Sequence, residues 1–91
     1  MANDFSRNPY FLDTVMANPT HDWVWIKEIA WTDFGTADSL IIKDASGGTI
    51  LDTKTTASNT ENYQKFSVDG RFHGIQLTAL TAGGKVIIYI K

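Results

Sequence analysis

Cysteine is absent, so no disulfide framework can brace this chain. With His21 and His73 as the only soft ligands, a structural zinc site is nearly excluded as well. Both absences matter because the chain has 91 residues, enough for one domain with a modest core. Domains this small commonly gain extra support from disulfides, a metal or a partner. Association is the route left open, although many domains of this size fold unaided. Basic residues are few and scattered, and the formal net charge is −2. A phosphate-tracking surface, and with it a nucleic-acid partner, is not expected. No apolar run approaches the length of a membrane span. The opening MANDFSRNPYF lacks the basic region and apolar core of a signal peptide, so synthesis and retention in a cytoplasm, or exit by another route, is expected. No Gly-rich loop precedes a helix, which removes the P-loop and dinucleotide fingerprints and leaves no cofactor to expect.

What is present is a rhythm of apolar runs and turn signals from residue 23 onward. Trp23 to Trp31 is dense in aromatic and β-branched residues, as strands are. Its odd positions hold Trp23, Trp25, Ile29 and Trp31, interrupted by Lys27, and its even positions hold Val24, Ile26 and Ala30. Both faces are largely apolar, which suits a strand covered on both sides or lying at an interface. Ser39–Asp44, then Ala45-Ser46-Gly47-Gly48, then Thr49–Lys54 has the form of a β-hairpin. Residues 55–62 are polar and are expected to form a loop. Tyr63–Asp69 and Phe72–Leu80 both alternate, with Asp69-Gly70 expected as the turn between them. Ala82-Gly83-Gly84 marks another turn before Lys85–Lys91. That last strand is apolar on both faces through Val86, Ile88, Tyr89 and Ile90, so it must be paired. A central position, or cover from the arm or a neighbouring subunit, would serve. Six strands and no helix after residue 22 predict an all-β fold: a small antiparallel β-sandwich or jelly-roll-like barrel at 23–91, preceded by an N-terminal arm at 1–22.

The arm admits two readings. Asn8-Pro9 suits a helix start, Asn18-Pro19 suits a stop, and Leu12, Val15 and Met16 fall at helical spacing. An extended segment laid across the sandwich is the alternative. In either case Phe5, Tyr10, Phe11, Leu12, Val15 and Met16 need apolar surroundings, on their own domain or on another chain.

Candidate chemistry is sparse. His21-Asp22 are sequence neighbours and would point to opposite sides of a strand. His73, near Asp69 and Arg71, has the character of a turn histidine. Asp33, Asp38, Asp44 and Asp52 lie at strand ends and turns, where Asp is locally favoured, and lack the spacing of a calcium loop. Neither catalytic residues nor a metal site are therefore expected. Trp23, Trp25 and Trp31 are the remaining candidates, either as core and interface aromatics or as a platform for sugar rings. Because they share a strand face with Ile29, the core reading is the simpler one.

The order of these motifs resembles that of small structural proteins of tailed bacteriophages and prophages. The resemblance rests on Asn8-Pro9 with Leu12-Asp13-Thr14, on Trp23-Val24 with Ile29 and Trp31, and on the Leu40–Leu51 hairpin around Asp44 and Gly47. It continues through the run from Gly74 to Gly83 and the closing Val86–Ile90. It covers most of the chain from residue 8, with an additional Gly84 and with Ile75 where leucine is expected. The resemblance implies a virion protein on the capsid exterior that decorates or cements the shell. It further implies a dimer or trimer whose arm reaches over the major capsid protein. A carbohydrate- or receptor-binding module of a virion tail or cell surface is the alternative.

Overall fold

The computed structural model describes residues 3–81 and 83–91. Among the described residues there are seven strands: β1 (Tyr10–Leu12), β2 (Trp23–Thr32), β3 (Ser39–Lys43), β4 (Thr49–Lys54), β5 (Tyr63–His73), β6 (Gln76–Leu80) and β7 (Lys85–Ile90). Their pairings are all antiparallel. They form a four-stranded sheet in the order β1-β7-β2-β5 and a three-stranded sheet in the order β4-β3-β6. The fold is thus all-β, a small sandwich, as the alternation of apolar and polar residues predicts. Leu12, Ile26, Ile29, Trp31, Val86 and Ile88 of the larger sheet meet Leu40, Ile42, Ile75 and Leu77 of the smaller side in one core cluster.

The hairpin between β3 and β4 forms where Gly47 and Gly48 predict it. The Asp44 carboxylate accepts the backbone N–H groups of Ser46 (2.9 Å) and Gly48 (2.8 Å), and Gly47 takes φ 88°. These local bonds shape the turn, and one long-range bond, from the Ala45 N–H to the His73 carbonyl (2.8 Å), ties it to the end of β5.

The expected turn at Asp69-Gly70 is not a turn. Both residues lie inside the continuous eleven-residue strand β5, and the chain reverses instead at Gly74. Asp69 does have the positive φ (50°) that a turn would use, but here it serves a register slip. Between Ile26 and Glu28 of β2, the pairing moves from Gly70 to Ser67 on β5 and from Ile90 to Tyr89 on β7. One intervening residue on β2, Lys27, therefore faces two on one neighbour and none on the other. The slip changes which residues point inward. Val24 and Ile26 face the core before it, and Ile29 and Trp31 after it.

The arm is extended, not helical. Asn8 caps no helix. Its side chain donates to the Ile90 carbonyl (2.9 Å) and accepts the Ile90 N–H (3.1 Å), fastening the end of β7. The bond between Asn8 and Pro9 is cis. β1 pairs with β7, and Asp4 exchanges backbone hydrogen bonds with Phe11 on the other side (2.7 and 3.0 Å). The Asn3 side chain clasps Asp13 and Thr14. The chain then crosses to the smaller sheet, where Met16 N–H donates to Leu77 and Thr20 N–H to Ile75 (2.9 and 3.0 Å). One segment thereby covers the β7 edge of one sheet and the β6 edge of the other, closing one side of the sandwich. Leu12 is buried in the core, worth about 2 kcal/mol in apolar burial. The apolar closing strand has its cover from the chain's own arm.

Candidate functional site

Residues on a strand alternate between faces, so the registers above assign the outer face of the four-stranded sheet. β1 contributes Phe11, β7 contributes Ile87 and Tyr89, β2 contributes Trp23 and Trp25, and β5 contributes Tyr63, Arg71 and His73. Phe11, Trp23, Trp25, Tyr63 and Tyr89 are all exposed, and with Val15 they make up the exposed large hydrophobic residues among those described. Single exposed apolar residues are ordinary, but five aromatics on one face of one sheet are not.

The register slip produces this arrangement. Trp23 and Trp25 are 60% and 38% exposed, whereas Trp31 is 1% exposed. Without the slip at Lys27 all three would share a face with Ile29, as simple alternation predicts. Instead Trp31 packs in the core, stacked on Phe34 with ring centroids 4.1 Å apart. Trp23 and Trp25 are turned out to solvent. The sequence signal that would have separated them is Lys27, a charged residue in the apolar phase of the strand.

The two outward indoles are dressed by polar groups. The His73 ring stacks on Trp23 at 4.8 Å, and the Arg71 guanidinium lies 4.8 Å from the centre of the same ring. Trp25 donates its indole N–H to the Asp69 carboxylate (2.9 Å), which explains why the slip residue Asp69 projects outward. The Lys91 ammonium lies 5.2 Å from the Trp25 ring centre, and the Lys91 backbone N–H donates to the Trp25 carbonyl (2.9 Å). Such cation–ring contacts contribute about 0.5–1 kcal/mol at exposed sites.

Two further lysines of the sheet are matched, whereas Lys27, exposed at the slip, is in no ion pair among the described residues. Lys65 reaches Glu28 at 3.0 Å, and Lys85 reaches Asp33 at 2.8 Å. Each carboxylate, chiefly through its hydrogen bond, holds the partner ammonium above the ordinary lysine range. Among the described residues neither Arg71 nor Lys91 has an ion pair.

The arm residues divide. Leu12 is buried, Phe5 packs edge-on against Tyr10 (5.0 Å, 68°), and Met16 packs against the core, while Phe11 and Val15 stay exposed. In the closing strand Val86 and Ile88 are buried, Ile90 is half-buried and Tyr89 is exposed. His21 and His73, far apart in sequence, come together with ring centres 6.2 Å apart. No group of three His, Cys, Asp or Glu side chains that could hold a metal occurs among the described residues.

Compared with known proteins, the chain matches no family model, no curated protein and no solved structure.

Proposed function

We propose that this chain is a non-enzymatic structural protein of a bacteriophage virion, a decoration or cement protein that docks on the major capsid protein at the shell exterior. The observation that carries the docking reading is the outer face of the four-stranded sheet, along which Phe11, Trp23, Trp25, Tyr63 and Tyr89 are all exposed, from Trp23 at one end of the β2–β5 pair to Tyr63 at the other. A domain that needed those aromatics for its own core would have turned them inward, as it does Trp31. The arm supports the same reading by elimination. Its main apolar anchor is spent on the chain's own sheets, so the sheet face is the larger apolar surface left for a partner. Assignment to a virion rests on the order of motifs described above. Repetition over a shell, with the chain itself a dimer or trimer, makes modest contacts collectively strong.

Co-sedimentation is the direct test. Purified chain should bind shells that lack it and raise their resistance to heat. Failure to bind such shells ends the reading.

Trp23 and Trp25 favour a second reading, because exposed indoles also serve as platforms for sugar rings. Titration with neutral oligosaccharides tests it: this reading requires saturable changes at both indoles.

A further inference from the structure

We infer that Arg71 and Lys91, placed over the indoles of Trp23 and Trp25, form a seat for the carboxylates of an acidic segment on the protein partner; this rests on the docking reading above. Arg71 is the cross-strand partner of Trp25, and Lys91 lies against Trp25 on the side of β7. The three residues make one row across the sheet, flanked by Trp23 and its stacked partner His73. With strands about 4.8 Å apart, the backbone positions of the two cations are about 10 Å apart. That separation accepts two carboxylates of one segment.

The contrast with Lys65 and Lys85, and the rings beneath Arg71 and Lys91 that Lys27 lacks, give the row its meaning. Lys65 and Lys85 are neutralised by Glu28 and Asp33, so they offer a partner little charge. Arg71 and Lys91 carry theirs unpaired among the described residues, and each lies above a ring that orients it. A partner that covers the aromatic face strips water from these two cations. It must then supply anions or leave charges buried without compensation.

A protein carboxylate fits better than a polyanionic backbone. Asp69 is hydrogen-bonded to Trp25 in the middle of the row, and Glu28 lies farther along the face. Evenly spaced phosphates crossing the row would meet Asp69. Individual Asp or Glu side chains can settle to either side of it. His73 and the two cations also lie against the indoles that nucleobases would need for stacking.

The test uses the full chain labelled with nitrogen-15, whose three indole N–H signals report separately. The probes are a short peptide rich in Glu and Leu, the same peptide with Lys for Glu, an oligogalacturonate and an oligothymidylate. The acidic peptide should shift the Trp23 and Trp25 indoles and the amides of Arg71 and Lys91 and leave the buried Trp31 indole still. R71Q/K91Q should weaken its binding about tenfold or more, since charge-assisted contacts are lost. R71K/K91R should retain most of it. The near-UV signal of the Trp31–Phe34 pair shows that each variant is folded. The inference is overturned if the acidic peptide causes no shifts, if the Lys peptide binds as well, or if the oligogalacturonate or oligothymidylate binds more tightly. The two readings fail separately. Shells that bind R71Q/K91Q as well as the parent contradict the carboxylate seat and leave docking intact; shells that bind neither contradict docking itself.

Discussion

Gly74 lies directly under the Thr20 carbonyl: a Cβ built on Gly74 would come within 1.9 Å of that oxygen, and its φ is +82°. Two requirements meet at one residue, a left-handed backbone and close passage of the arm. Gly74→Ala should therefore cost about 2–4 kcal/mol, combining backbone strain with displacement of the arm from β6. Urea unfolding measures it. A variant as stable as the parent would mean that the arm does not lie where Thr20 and Ile75 hold it.

Leu12 and Phe11 are neighbours in β1 with opposite fates, the first buried and the second exposed. Leu12→Ala should destabilise the chain by about 2–5 kcal/mol, as truncation of a core leucine does. Phe11→Ser should leave stability within about 0.5 kcal/mol. Thermal or urea denaturation of the pair decides whether the arm is part of the folded domain. Equal, small effects would place the arm outside it.

Deleting Lys27 should remove the residue that changes the inward phase of β2. Without it Val24, Ile26, Ile29 and Trp31 fall on one alternating face, and Ile26 and Glu28 become consecutive opposite the consecutive Ile90 and Tyr89 of β7. The deletion should therefore keep both pairs in the core and retain the near-UV signal of Trp31 stacked on Phe34. Lys27→Ala, which keeps the residue count, should retain it as well, and loss of the signal in the deletion variant alone would contradict the register. Near-UV circular dichroism of the two variants makes the comparison.

These residues also mark how far the sequence alone can be followed. Strict alternation and the Gly47-Gly48 turn carried the hairpin, because the Asp44 bonds that shape its turn are local. Asp69-Gly70 misled for an instructive reason. The same tolerance of positive φ that makes this pair a turn signal also lets it absorb a slip inside a strand. Which use prevails depends on β2 alongside, a long-range partner that local pattern does not reveal. The arm was ambiguous because Asn8 suits a helix cap as well as it suits a clasp on Ile90, more than eighty residues away. Periodicity carried across Lys27 put Trp23 and Trp25 in phase with Ile29 and Trp31, so core and interface could not be told apart for them, and Tyr63 carried no signal. Arg71 and Lys91 carried no signal of their own, since their meaning comes from the indoles beneath them.

Trp23→Ala and Trp25→Ala should separate binding from folding. Because these side chains are turned to solvent, each variant should unfold within about 1 kcal/mol of the parent. Trp31→Ala should lose about 3–5 kcal/mol. Denaturant midpoints of the three variants provide the check.

The central claim is that the outer face of the four-stranded sheet is the docking surface. Electron cryomicroscopy of the intact particle tests it most directly. The account predicts the chain on the shell exterior, with Trp23, Trp25 and Tyr89 buried against a capsid subunit. A particle that carries the chain with this face open to solvent, and with contact made through the β4 edge or the loops, would contradict it.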